Sequence, residues 1–322
     1  MTFTTVDRVA ACLAGIATGD AIGKQTETLS RRDVQRWYPD GVRGFEGPPG
    51  SIIPRYAGNS KREWRVGETT DDTERTLAVA KAILTSGRVS HEDVGRELLK
   101  CTKCVHRGIA SLWEFHQAGD PGRCATRHDG CGAAIRVAPV GILHGSGSLD
   151  DLVKDAREAS ISTHGGSLAI AAAAATAAAV SAAVDGASPA HVLHLAGRAA
   201  ICSESTSAVF ADAIRAVHDD LAGVSSLEAD EVAKRWFPAN PLTIVPLALA
   251  LATLVPSAAD AITLAANIGG DSDSVASIAG GIAGAMYPET LHEGWREVVE
   301  RVNNHGLERI ASELARMRHR AI

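Results

Sequence analysis

The chain has 322 residues, enough for a sizeable core in one large domain or two ordinary ones. Hydrophobic residues make up 45% but aromatics only 4%, so the core must be built from Ala, Leu, Val and Ile, whose small volumes let helices approach closely. The formal net charge is −6, and Lys and Arg are spread without a basic block, which argues against a binder of the phosphate backbone and makes nucleic acid an unexpected partner.

The first apolar segment, Val9–Ile22 within a helix expected at 6–22, is preceded by Asp7 and Arg8 and interrupted by Asp20. Without a basic leader it reads as the first core helix rather than an export signal, and a cytoplasmic location is expected. Its exit, Gly15-Ile-Ala-Thr-Gly-Asp-Ala-Ile-Gly-Lys-Gln-Thr-Glu27, brackets glycines between Asp20 and Glu27. An irregular piece rich in Pro and Gly follows over 38–69, of the length of a binding loop or lid. It carries Arg43, Arg55, Tyr56, Lys61, Arg62 and Trp64, candidates for contact with phosphate or base.

The loop runs into Gly67-Glu-Thr-Thr-Asp-Asp-Thr-Glu-Arg-Thr-Leu77, after which apolar residues at 77, 79, 80, 83 and 84 mark a helix over 72–86. Thr69 to Asp72 therefore sit at a helix N-terminus. Capping alone accounts for Thr and Asp there, because their oxygens accept from free backbone N–H groups and negative charge suits the helix dipole. A hard-metal site at this place needs more carboxylates from elsewhere.

Further helices are expected at 90–104, 107–118, 131–143, 149–160, 165–184, 189–201, 206–220, 227–236, 242–254, 257–267, 273–286, 288–303 and 305–319. The run 168–184 has the length of a membrane span, yet it is mostly Ala with Thr176 and Ser181 inside it, so a buried helix is expected and no membrane partner. Without a secretory signal the six cysteines read as reduced thiols, and Cys101-x-x-Cys104 followed by Cys124 and Cys131 lacks the second tight pair of a zinc ligand set. No segment alternates as a strand and no repeat of fixed period is found. These features predict an all-α fold in a single domain, 1–322.

Companion acids come two hundred residues later, in Asn267-Ile-Gly-Gly-Asp-Ser-Asp-Ser-Val275. Asp271 and Asp273, with Ser272 and Ser274, open an apolar helix after the turn-forming Gly269 and Gly270, and Gly280, Gly281 and Gly284 thin that helix for close approach. Brought together, the two helix starts would set four carboxylates face to face. Unpaired, those charges repel, and a hard divalent cation such as Mg²⁺ or Mn²⁺ resolves the conflict; four acids can serve two such ions.

Gly-Asp-Ala-x-Gly-x-x-x-Glu, Thr-Asp-Asp-Thr and Gly-Gly-Asp-x-Asp-Ser, in this order, resemble the motifs of the ADP-ribosylglycohydrolase family over nearly the whole chain. Gly130-Cys-Gly-Ala-Ala-Ile-Arg-Val-Ala-Pro-Val140 is similar to the family's glycine-rich central segment, and Ser162-Thr-His-Gly-Gly166 to its Thr-His segment. The resemblance implies a compact orthogonal multi-helix bundle with a dinuclear Mg²⁺ or Mn²⁺ site at helix N-termini. It implies Thr70, Asp71, Asp72, Asp271, Asp273 and Ser274 as metal ligands, with Ser274 where the family usually has Thr. Glu27 matches a glutamate that lies beside the metals in some members. Asp20, Gly132, His164, Gly165, Gly166, Gly269, Gly270 and Ser272 would lie around bound ADP-ribose.

The implied reaction is hydrolysis of the glycosidic bond at C1″ of an ADP-ribose adduct on a protein or small molecule. Glu27, Asp72 and Asp271 are the candidate catalytic acids, and Asp71 and Asp273 compete for the same role. Hydrolysis of a free nucleoside or nucleotide, or a non-catalytic ADP-ribose-binding role, stand as alternatives. The leaving group and the oligomeric state are open.

Overall fold

The computed structural model describes residues 3–46, 65–103, 120, 122–203 and 208–318. Among these residues every regular element is helical: sixteen α-helices and one 3₁₀ turn, with no strand. The fold is all-α.

The organising contact is between the first helix, Thr5–Gly23, and the helix Ser272–Met286. Small residues line both sides of their seam, and the two helices run antiparallel. A Cβ placed on Gly15 would stand 2.1 Å from the Gly280 carbonyl oxygen, one on Gly19 2.1 Å from that of Ala276, and one on Gly23 2.5 Å from that of Ser272. No side chain fits in such a gap, so the backbones lie against each other. The geometric result is functional: the exit of the first helix, with Asp20 and Glu27, is fixed beside the start of the second, with Asp271 and Asp273.

Around this pair the core is wide and made of small residues. The alanine helix Ser167–Val184 is the one described helix long and apolar enough to cross a membrane, and 89% of it is buried inside the protein. It is a core helix, as its composition predicts. Near the chain's end, the buried Arg318 guanidinium donates to the carbonyls of Gly141, Ile142, His144 and Ser181 and pairs with Asp185 at 2.6 Å. It thereby ties together the C-terminal turns of two helices.

Most predicted helices form within a few residues of their expected bounds, and the departures have local causes. The helix expected at 90–104 stops at Leu98. The one expected over 131–143 is two short helices, Gly132–Arg136 and Ala138–Leu143. Pro139 lies in the first turn of the second, where its missing N–H is tolerated, and the residue before a proline resists continuing a helix. The segment 288–303 begins as a 3₁₀ turn, Pro288–Thr290, before the helix Glu293–Asn303. The short helix Arg31–Trp37 has no counterpart among the expected elements; it buries only Val34 and rests on a cap in which Ser30 accepts from the Asp33 N–H. The helix expected at 107–118, Cys104 and the loop residues 47–64 lie outside the described residues. The described cysteines are free thiols.

Candidate functional site

The helix Asp71–Ser86 begins at Thr70, whose hydroxyl accepts from the Asp72 N–H at 3.1 Å. Its position is set from outside. Asp20, wholly buried in the first helix, accepts from the Thr70 N–H at 3.0 and 2.9 Å, from the Thr73 N–H at 3.1 Å and from the Thr73 hydroxyl. A helix start leaves its first N–H groups free, and an anion is favoured beside them. From the other side, Asn303 accepts from Thr69 N–H at 3.1 Å and donates to the Gly67 carbonyl at 2.8 Å, while His305 Nε2 lies 2.9 Å from the Thr69 hydroxyl.

The second acidic start is fastened similarly. Gly269 and Gly270 have φ of +85° and +69°, which glycine alone adopts easily. The turn they make pairs with the exit of the first helix: Thr28 N–H donates to the Gly270 carbonyl at 2.6 Å, and Gly270 N–H to the Leu29 carbonyl at 2.8 Å. Ser272 is buried and donates to the Gly23 carbonyl at 2.9 Å, while Thr26 donates to Ser272 at 3.0 Å. Glu27 is thus held beside Asp273.

The two starts and the Glu27 turn enclose one cavity of about 420 Å³. Glu27, Asp71, Asp72, Asp271, Asp273 and Ser274 line it, together with Gly132, Gly270, Cys131, Arg75 and the loop Phe237-Pro238-Ala239. Its electrostatics are those of crowded anions. Burial, then the charges of Asp71, Asp20 and Asp271, push Asp72 well above the usual carboxylate range. Burial, then Glu27, Asp72 and Asp271, do the same to Asp273. Arg75 provides compensation, pairing with Asp71 at 2.8 Å. Asp72 Oδ2 is buried and has no hydrogen-bond partner among the described residues. Among those residues no group of three or more His, Cys, Asp or Glu side chains stands ready-made around a cation position. The donor set itself fits one: hard oxygens, excess negative charge and, on Asp72, a buried carboxylate oxygen without a partner among the described residues.

Other predicted residues lie behind the cavity. Asp20, Thr70 and Ser272 hold the two helix starts, and Gly269 leaves room for the Leu29 carbonyl, 2.5 Å from where its Cβ would stand. Gly165 and Gly166 face the loop 125–129, where a Cβ on Gly165 would stand 1.9 Å from the Ala125 carbonyl oxygen. Asp129 in that loop accepts from the Leu168 N–H at 2.8 Å and so caps the alanine helix. His164 is buried under the cavity floor, with Nδ1 2.7 Å from the Thr163 hydroxyl and Nε2 without a partner among the described residues. A Cβ on Gly132 would meet its ring at 2.8 Å. Burial, then the nearby Arg136 and Arg75, drive the His164 pKa well down, so the ring is neutral at physiological pH.

Three parts of the wall are not evident from sequence reasoning. Arg75 carries a signal, four residues after Asp71 on the same helix face. Cys131 reads only as a thiol, and Phe237 sits in a connector with no motif of its own.

The match to known proteins agrees with this geometry. The family model described as ADP-ribosylglycohydrolase matches residues 1–321. The chain belongs to the ADP-ribosylglycohydrolase family. It is 29% identical to the uncharacterized protein YegU of Escherichia coli strain K12 over 97% of each chain. It is 24% identical to the ADP-ribosylarginine hydrolase Tri1 of Serratia proteamaculans, over 93% of this chain and 78% of that one. Among solved structures, an ADP-ribosylglycohydrolase-related protein complex superposes with a TM-score of 0.74 at 25% identity, over 97% of this chain and 98% of that chain.

Proposed function

We propose that the protein hydrolyses the C1″ glycosidic bond of an ADP-ribose adduct and releases ADP-ribose. The observation that carries the reading is the cavity into which two separate helix starts and the Glu27 turn bring five carboxylates, one with a buried unpaired oxygen. Asp71, Asp72, Asp271, Asp273 and Ser274, which line the cavity, would hold two Mg²⁺ or Mn²⁺ ions, with the Thr70 hydroxyl capping the helix start behind them. When bound, such a pair supplies positive charge that neutralises the acids and orients ribose hydroxyls and water.

The chain's own residues supply the rest. Burial and like charges around Asp72 and Asp273 disfavour bare negative charge there, which is relieved when the two carboxylates share a bound cation. Glu27 lies at the edge of the cavity beside Asp273, placed to take the proton of an attacking water. Arg75 pairs with Asp71 and fixes the direction of its carboxylate on the cavity wall. Gly132 and Gly270 put no side chain on the wall, so a diphosphate can approach the backbone at Gly132. Phe237 offers an apolar face for a ribose or base.

Tri1 is named for ADP-ribosylarginine, and the arginine adduct is the substrate favoured for this chain as well. The location is proposed to be cytoplasmic. The test is ADP-ribose release from ADP-ribosyl-arginine protein, ADP-ribosyl-serine peptide and a free nucleoside panel, each with Mg²⁺, Mn²⁺ or EDTA. Metal-dependent release from the arginine substrate, lost in Asp273→Asn, is expected. Release from the nucleosides alone would move the assignment to that alternative. Unchanged turnover in Asp273→Asn would end the metal-site reading.

A further inference from the structure

One wall of the cavity comes from a connector that carries no acid. Phe237 lies on it, directly after the helix Ala229–Trp236. That helix has eight residues and buries only Ala229, Val232 and Ala233, so apolar packing holds it weakly. Polar ties do the rest. At its start, Asp230 accepts from Arg31 Nε and from Gln35 Nε2, each at 2.7 Å. At its end, Asp220 accepts from the Trp236 indole N–H at 2.7 Å and from Arg235 Nη1 at 2.9 Å, one bond on each carboxylate oxygen.

These ties bracket Phe237 residue by residue. Trp236, on one side, is held by Asp220. Pro238, on the other, accepts the Asp271 N–H on its carbonyl at 3.0 Å. Between them the Phe237 ring lies against Gly270, where a Cβ would meet it at 3.1 Å. Asp220 stands in the last turn of the helix Val209–Ala222, where the helix dipole disfavours negative charge. Its charge is at odds with its own helix and in accord with the two donors it meets. Asp220 and Trp236 are not among the described residues that line the cavity, so they reach a ligand there only through Phe237.

We propose that Asp220, through its bond to the Trp236 indole, is a positioning residue for Phe237 and sets how tightly the cavity holds the ribose or base of ADP-ribose. A hydrogen bond to an ionised carboxylate is among the stronger ones, and this one is made a single residue away from the ring it places. Its loss lets the short helix and its connector shift, while the acids stay where the glycine seam puts them. Ligand affinity then falls and cation affinity does not. The inference rests on the reading that the cavity takes ADP-ribose.

The experiment is calorimetric titration of the full chain with ADP-ribose in the presence of Mn²⁺, with Mn²⁺ affinity measured separately by electron paramagnetic resonance. It compares the natural protein with Trp236→Phe, which lacks the N–H donor, with Asp220→Ala, and with Asp220→Asn, whose amide oxygen still accepts from the indole. Phe237→Ala is measured with and without Asp220→Ala. ADP-ribose binding is expected to weaken about tenfold in Trp236→Phe and Asp220→Ala and at most about twofold in Asp220→Asn, with Mn²⁺ affinity unchanged. Adding Asp220→Ala to Phe237→Ala should cost nothing further, because the two act as one unit. Natural ADP-ribose affinity in both Trp236→Phe and Asp220→Ala would overturn the proposal. An equal loss from Asp220→Ala with and without the Phe237 ring, or Mn²⁺ affinity falling in step, would make Asp220 a general support of the fold and overturn it too. Those results leave the hydrolase reading standing. A natural protein that neither binds ADP-ribose nor releases it from any substrate removes that reading, and this inference with it.

Discussion

The carboxylate of Asp20 grips the backbone N–H of Thr70 with both oxygens, at 3.0 and 2.9 Å. Its burial and its bonds make it a support for the acidic helix start rather than a wall of the cavity. Asp20→Asn keeps the shape but turns an amide toward N–H donors. A loss of about 2–4 kcal/mol in denaturant unfolding is expected, from one broken buried charge interaction. Mn²⁺ affinity should fall by about 10- to 100-fold, as when groups behind metal ligands are removed. Unaltered Mn²⁺ affinity in a folded variant would make Asp20 a purely structural residue.

The glycine seam predicts opposite outcomes for one kind of substitution. Gly15→Ala puts a methyl 2.1 Å from the Gly280 carbonyl oxygen and forces the two central helices apart. A loss of about 3 kcal/mol or more is expected, together with loss of activity, because the same helices carry the acids. A methyl added at Gly197, inside the helix Pro189–Ser203, would meet nothing within 4 Å, so Gly197→Ala should stabilise by up to about 1 kcal/mol. Thermal unfolding of both variants checks the pair.

Acid sensitivity should trace partly to His305. Burial, then the charge of Lys103, lowers its pKa from 6.5 to about 4. The unfolded chain takes up this proton first, so the stabilisation is fully present above pH 6.5 and is lost as pH falls toward 4. The full effect is up to about 3 kcal/mol. His305→Gln, which can still meet the Thr69 hydroxyl, should flatten that part of the stability profile. An unchanged slope between about pH 7 and about pH 4 would refute the assignment.

Gly132→Ala tests the cavity floor. Its methyl would press on the His164 ring at 2.8 Å, and that ring is wholly buried. Turnover is expected to fall at least about tenfold, as displaced substrate contacts commonly cause, while the helix content is retained. Circular dichroism and ADP-ribose release on the same preparation separate the two effects.

The helical architecture is legible because apolar spacing of 3.6 residues survives in segment after segment, and no described segment alternates as a strand. The paired acids are legible too, since Asp71-Asp72 and Asp271-x-Asp273 each announce a helix start. Their convergence on one cavity can be reasoned from charge, but their support cannot. Asp20 looks like another acid for the site because nothing local says that its partners lie fifty residues away, in the amides of Thr70 and Thr73. Cys131 and Phe237 enter the wall through contacts between remote segments, which leave no periodic trace. The helix Arg31–Trp37 is hidden for the converse reason: it is short, buries only Val34 and is defined by its cap.

The antiparallel seam also dictates when the cavity comes into being. Asp72 emerges from the ribosome two hundred residues before Asp271, and the two are joined only when Ser272–Met286 closes against Thr5–Gly23. Closure over so long a separation is slow relative to local helix formation. The mutual repulsion of the acids is therefore met late, after the helices exist and when the seam can hold the groups together. A nascent or partly unfolded chain carries each half of the cavity apart from the other. Turnover by this protein should thus be a report on the completed fold, silent until the last central helix has docked.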